Sequence, residues 1–241
     1  MSSPNSASHE IAATLRNEIL RDQYRVGERL PSERDLSSRF DVSRGVIREA
    51  LSQLEEQGII ETQPGGVRVK PIEQATLAIL GPMLALQEIP DPDLVDQFLE
   101  IFTMLTRLTV TNALRHASDD QMIQLNSLLV ELKKNADNME AMRPGWESML
   151  NYLTSINTNL VAKLIGNDVK AQFVEQMMKL EIRPNLKPEA GRELAKSLEI
   201  AFMRRDGELA ATAFEKHFGQ LRLAIQDALE NMQTMYRKQA V

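Results

Sequence analysis

The sequence predicts a mainly α chain, with an N-terminal winged helix-turn-helix followed by a C-terminal bundle of six to seven helices. Three observations predict it. Between Gly27 and Gly66, two short helical patterns flank a two-residue turn, and two short strand-like segments follow around Pro64-Gly65-Gly66. From Asp93 onward almost everything has helical period, with few β-branched runs and no alternating segments. The 241 residues suffice for two domains of ordinary size.

Each element has a local reason. Residues 1–8, MSSPNSAS, are small and polar and are expected to be disordered. In residues 9–22, Ile11, Ala12, Leu15 and Ile19 share one face of an amphipathic helix. Tyr24 to Leu30 is a short extended lead-in. Ser32 follows Pro31 and precedes Asp35 by three, a capping pattern that starts a helix through Phe40. Asp41-Val42 is the turn. Ser43 can cap the next helix, which runs to about Gln57 and stops at Gly58. Ile59–Thr62 and Val67–Val69 then pair as a hairpin whose tip carries no side chain at Gly65 or Gly66.

Residues 72–92 read as a connector. It holds a short apolar helix around Leu77–Leu86, broken at Gly81-Pro82, and ends at Pro90 and Pro92. Helices are expected at about 93–116, 119–140, 145–165, 168–182, 189–204 and 207–237. Their breaks fall at Ala117-Ser118-Asp119, Arg143-Pro144-Gly145, Gly166-Asn167, Arg183-Pro184 and Arg205-Asp206-Gly207. Domain boundaries follow: 9–71 for the helix-turn-helix unit, 72–92 for the connector and 93–241 for the bundle.

Composition bounds the function classes. The chain has no cysteine, hence no disulfide framework and no thiolate zinc site. It has no apolar run long enough to span a membrane and no basic, apolar leader, so the expected compartment is the cytoplasm. Residues 1–70 hold ten Lys+Arg against eleven Asp+Glu, which leaves eighteen against twenty-three for the remainder. No overall basic field exists, so any nucleic-acid contact rests on local placement. Nine of those ten cations are arginine, the side chain suited to forked contacts with phosphate and guanine.

The chemistry concentrates on the second helix of the helix-turn-helix. Ile47, Leu51 and Leu54 recur at core spacing, while Arg44 and Arg48, four apart, sit beside each other on a different flank. A short helix with paired arginines at its N-terminal end is what a major-groove reader needs. Arginine can donate two parallel bonds to the O6 and N7 edge of guanine, and Ser43 can reach a phosphate or a base. The ordinary alternative is a solvated charged face.

The stretch PSERDLSSRFDVSRGVIREALSQLEEQGII resembles the winged helix-turn-helix of the GntR family of bacterial transcription regulators, over roughly residues 10–70. The resemblance implies DNA contacts at Arg34, at Ser43, Arg44, Gly45 and Arg48 on the recognition helix, and at Gly66 in the wing. Gly45 departs from the small polar residue common there. The second half resembles the all-helical effector-binding and dimerisation domain of the FadR-like branch, on the segment AFMRRDGELAATAFEKHF, Ala201 to Phe218.

Many members of that branch bind a metal through an aspartate and three histidines. Here His217 fits the last histidine, but Ala195 stands where the preceding ligand should be. The window Trp146–Asn151 offers Glu147 and Asn151 in one register, or Trp146 and Leu150 in the other. One histidine with Glu and Asn is a poor set for zinc, so no metal and no other cofactor is expected. Phe102 and Thr106 replace the Arg and Glu usual on the first helix of the domain, which makes the implied pocket less charged and more apolar. Phe102, Thr106, Asn112, Arg115, Asn151 and His217 are its candidate residues, and a small organic effector with an apolar part, such as an acyl-CoA or a carboxylate, is the expected ligand. Thr103 and Thr106 can equally be core-edge threonines, and His217 a core histidine. Met177-Met178 reads as adaptable core.

The expected function is therefore a ligand-responsive transcription regulator, in sense a repressor, that binds a short palindromic operator as a homodimer. An architectural DNA-binding protein without effector is the alternative. An enzyme is not expected: no G-x-x-x-x-G-K-[ST], G-x-S-x-G or H-E-x-x-H occurs, and the histidines lie far apart at 9, 116 and 217.

Overall fold

A computed structural model describes residues 4–174 and 184–239, and the chain divides into two compact units, Met1–Gln87 and Glu88–Val241. The first contains α1 (Pro4–Leu20), α2 (Glu33–Phe40), α3 (Arg44–Glu56), strands β1 (Ile60–Gln63) and β2 (Gly66–Val69), and α4 (Leu80–Leu84). Its core gathers Ile11, Leu15 and Ile19 of α1, Leu36 of α2, Ile47, Leu51 and Leu54 of α3, and Ile59, Ile60 and Val69 of the wing. The apolar face expected on α1 is thus the one that packs.

Local chemistry explains the joints. Ser32 caps α2, its hydroxyl accepting from the Asp35 N–H at 3.3 Å. Asp41 ends that helix in the left-handed region, φ 52°. At the end of α3, the Gly58 N–H donates to the Glu55 carbonyl and the Ile59 N–H to that of Leu54, the paired bonds of a Schellman motif. Gly58 has φ +76°, and a Cβ there would meet the Gln74 carbonyl oxygen at 2.9 Å. Only glycine suits both conditions.

The wing is antiparallel, with Ile60 opposite Val69 and Gln63 opposite Gly66. The lead-in segment joins it. Gly27 N–H donates to Val69 O, Val69 N–H to Glu28 O and Leu30 N–H to Val67 O, so residues 27–30 run beside β2. The Glu55 carboxylate ties α3 to β1 by accepting from the Thr62 N–H at 2.8 Å.

Two expectations in this unit are corrected. Helix α1 starts at Pro4 rather than His9, and Ser8 is fully buried, accepting from Gln53 Nε2 at 3.4 Å. Proline suits a first helical turn, where its missing N–H costs nothing. The connector helix is not broken at Gly81-Pro82, because α4 spans both residues. Pro82 again lies within the first turn, where no intrahelical donor is required.

The second unit contains α5 (Pro92–His116), α6 (Asp119–Lys134), α7 (Met139–Ile156), α8 (Leu160–Val169), α9 (Pro188–Arg204) and α10 (Gly207–Gln239), with a π-type turn at Lys170–Val174. Its core draws Val110 and Leu114 from α5, Leu125 and Leu132 from α6, and Met149 and Leu153 from α7. Leu198 and Phe202 of α9 complete it with Phe214 and Phe218 of α10. Helices α5 and α10 pack against each other and are clamped by Arg222, whose guanidinium forks onto the Asp96 carboxylate, with Gln226 donating to the same group. Arg222 holds the Asp96 carboxyl below the usual carboxylate range.

The middle helices are displaced from the expected bounds. The break expected at Arg143-Pro144-Gly145 lies inside α7, and the real ones fall at 135–138 and 157–159. Both are asparagine breaks. Asn138 Oδ1 accepts from the N–H groups of Glu140 and Ala141, and Asn159 Oδ1 from that of Ala162. Two capping bonds start α7 early enough to carry Pro144, which forfeits one ladder bond that buried Met142, Met149 and Leu153 offset. Gly166-Asn167 likewise lies within α8. Most of the helix expected at 168–182, with Met177 and Met178, lies outside the described residues, as does Arg183.

Candidate nucleic-acid interface

The N-terminal end of α3 is the exposed end of a helix whose inner face is buried. Ile47, Ala50, Leu51 and Leu54 face the core, while Ser43, Arg44, Gly45 and Arg48 all face solvent. Ser43 stands at the cap position with extended backbone, yet its hydroxyl makes no capping bond. Its carbonyl takes the first intrahelical bonds, from Val46 and Ile47. The N–H groups of Arg44 and Gly45 and the Ser43 hydroxyl therefore remain available to an anion, at the positive end of the helix dipole. A Cβ on Gly45 would touch only Ser43 Oγ, at 3.7 Å. Packing does not demand glycine there.

The two arginines differ. Arg44 makes no hydrogen bond or ion pair among the described residues. Arg48 is engaged: its Nε donates to both oxygens of Glu33, at 3.0 and 2.9 Å. Arg34, at the start of α2, is exposed and lies 3.8 Å from the Asp35 carboxylate. Asp35 is itself held below the usual carboxylate range, mainly by the Ser32 hydroxyl, with Arg34 and Arg29 adding to the effect.

At the wing, Gly66 has φ +130°, and a Cβ there would strike the Arg29 guanidinium. The Arg29 side chain thus lies across the Gly66 backbone. Sequence reasoning missed Arg29, because the lead-in segment shows no partner until its strand pairing is known. It likewise missed Glu33, read only as part of a helix start. Arg68 is turned away, donating to the Gly27 carbonyl at 2.7 Å.

The candidate effector residues of the second unit do not form one polar set. Phe102 meets Phe218 edge-on at 5.1 Å, and Trp146 contacts Phe214, His217 and Phe218 with centroids 5.1–5.4 Å apart. Thr106 is buried and donates to the Phe102 carbonyl of its own helix at 2.9 Å. Thr103 does the same to Leu99. Asn112 Oδ1 accepts from the N–H and the hydroxyl of Thr158, pinning the α7–α8 loop to α5. Asn151 accepts from Lys170 Nζ, and Arg115 is exposed. His217 is buried with Nδ1 unpartnered. Burial pushes its pKa down to about 4, opposed by the Ala190 backbone, so the ring is neutral at pH 7.

The window Trp146–Asn151 sends one aromatic side chain inward. Trp146 stacks toward His217, whereas Glu147 and Asn151 are exposed. Trp146 stands beside His217, and Ala195 and Leu150 belong to the apolar core of the same unit, none of the three being a metal donor. Among the described residues no cluster of three or more His, Cys, Asp or Glu side chains is placed to hold an ion. The donor set does not fit a metal.

Residues 7–69 match the family model for bacterial regulatory proteins of the gntR family. Over 56 residues the chain is 45% identical to the Uxu operon transcriptional regulator of Escherichia coli K12, covering 23% of this chain and 22% of that protein. Over 136 residues it is 29% identical to the HTH-type transcriptional repressor NanR of Escherichia coli, covering 56% of this chain and 51% of NanR. The chain thus matches about half or less of the length of these relatives. A solved structure of Lar from Listeria monocytogenes, which controls expression of that organism's agr system, superposes with a TM-score of 0.53 at 18% identity. It covers 90% of this chain and 95% of the other, and the likeness shows a shared fold: a helix-turn-helix unit, then a helical domain. No described helix is long and apolar enough to cross a membrane.

Proposed function

Residues 7–69 being a helix-turn-helix domain of the gntR family, we propose that the chain is a sequence-specific transcription regulator, in sense a repressor, that binds a short palindromic operator as a homodimer. The observation that carries this reading is the exposed start of α3, where Arg44, unpartnered among the described residues, a Ser43 hydroxyl that makes no capping bond and the bare backbone at Gly45 share one helix end. Arg34, Arg48 and the wing at Gly66 extend the same surface. In this reading residues 9–71 read DNA, 72–92 connect, and 93–241 hold the effector and the dimer contact.

Two features support a second copy. The described domain lacks the excess of cations that would give strong contact with random duplex, so one reading head binds weakly and two on a twofold site multiply. In the second unit, α5 carries exposed Ile101, Met104 and Leu108 at helical spacing, and its neighbour α8 carries exposed Leu160, Val161 and Leu164. Apolar faces of this kind on adjacent helices suit a self-complementary contact.

The effector is a small organic molecule with an apolar part, such as an acyl-CoA or a carboxylate, at the cluster of Phe102, Trp146, His217 and Phe218. A neutral imidazole with one unsatisfied nitrogen among aromatic rings offers a single directional contact within an apolar wall. NanR, a repressor, supplies the expected sense of action.

The test is enrichment of a duplex from a randomised pool by the full chain, followed by footprinting and sedimentation. A protected palindrome occupied by two chains is expected. Uniform coverage, or a monomer on a single site, would overturn the reading. Thermal shifts and Trp146 fluorescence across acyl-CoAs and carboxylic acids test the effector, and no response to any would remove it.

A further inference from the structure

We propose that Glu33 is a specificity-determining positioning residue: it holds Arg48 by Nε so that only the two Nη groups are presented to DNA. The inference rests on the DNA-binding reading above and deepens it. Glu33 is the first residue of α2, at the positive end of that helix, where a carboxylate is favoured. From there it reaches α3, and both of its oxygens lie within 3.0 Å of Arg48 Nε. Among the described residues neither Nη of Arg48 has a partner. The guanidinium is therefore gripped at one edge and open at its end.

That grip has consequences for readout. Arginine can fork onto guanine through its two Nη groups or sideways through Nε and one Nη. A carboxylate on Nε removes the sideways mode and limits the rotamers of a long side chain. It also places a negative charge beside the reading surface, which repels phosphate unless Arg48 stays in register. Both effects lower binding to wrong sequences more than to the right one. The pair is not there for stability, because Arg48 is 69% exposed and Glu33 37%, and exposed pairs contribute little. Arg44, without such a partner, keeps every mode open.

The experiment uses the full chain, a duplex enriched by it from a randomised pool, and a scrambled duplex of the same composition. Affinities of wild type, Glu33→Gln, Glu33→Ala, Arg48→Ala and the Glu33→Ala/Arg48→Ala double variant are measured across salt. Removing Glu33 is expected to tighten binding to the scrambled duplex several-fold and to cut discrimination about tenfold. In the Arg48→Ala background the same change should leave discrimination unaltered. Glu33→Gln, which keeps the shape, should behave like Glu33→Ala. Equal effects of Glu33→Ala with and without Arg48 would overturn the proposal. So would unchanged discrimination in both Glu33 variants while wild type still selects its duplex. If wild type selects no duplex at all, the DNA-binding reading itself fails, a different and separately visible result. Melting curves check that each variant is folded, as expected with the Ser32 cap intact.

Discussion

The imidazole of His217 and the indole of Trp146 lie 5.4 Å apart, centroid to centroid, tilted by 51°. The contact joins α10 to α7 in the core of the second unit and leaves His217 Nδ1 without a partner. A neutral ring suits that place and a cation does not. With a folded pKa near 4 against 6.5 unfolded, the unfolded chain binds the extra proton first as pH falls. This contribution to stability is intact above pH 6.5, declines between 6.5 and about 4, and is then lost, on the order of 3 kcal/mol in all. Denaturant unfolding of the wild type at pH 7 and pH 5 should show the decline. His217→Gln should flatten that interval, and the loss at lower pH from the Asp96 carboxylate, held below its usual range by Arg222, should persist.

Arg44→Ala and Arg48→Ala should each cost about 1–3 kcal/mol in affinity for the enriched duplex and relax preference at distinct base positions. Arg34→Ala should weaken all duplexes more evenly and shallow the salt dependence. Fluorescence anisotropy against salt concentration separates these patterns.

Gly58→Ala tests the end of α3. The left-handed φ and the 2.9 Å approach of the Gln74 carbonyl both oppose a Cβ. The expected loss is about 1–3 kcal/mol, read as a lower denaturant midpoint. Gly65→Ala, with a positive φ but open surroundings, should cost less. Equal losses would show that the backbone angle alone matters.

Asn112→Ala tests whether this residue serves the fold. Its Oδ1 accepts two bonds from Thr158, so its loss should cost about 1 kcal/mol without any ligand present. Arg115→Ala, on an exposed side chain, should stay within about 0.5 kcal/mol of wild type. A stability loss for Asn112→Ala that appears only with an effector bound would reverse the assignment.

Legibility tracked the range of the interactions. The cap at Ser32, the stop at Gly58, the face of Ile47, Leu51 and Leu54 and the wing tip are encoded within a few residues, and each is present as expected. The Asn138 cap was equally local but was outweighed by Pro144, whose helix-breaking tendency lost to two capping bonds and buried methionine and leucine. At the start of α3, the shared outer flank of Arg44 and Arg48 followed from their four-residue spacing. The roles of Arg29 and Glu33 did not, because both depend on neighbours fifteen or more residues away. In the second unit, the bonds from Thr158 to Asn112 and from Lys170 to Asn151 had no local signal in the sequence.

By itself the amino-acid sequence determined the helix-turn-helix, its wing and the helical character of the second unit, because caps, glycines and hydrophobic period act through adjacent backbone. It also determined that Arg44 and Arg48 share an outer flank. Only the tertiary structure decided that Glu33 grips Arg48, that Arg29 crosses Gly66 and that Trp146 rather than Glu147 meets His217. Those pairings are set by how separate elements pack, and side-chain reach across a packed interface leaves no trace in local spacing.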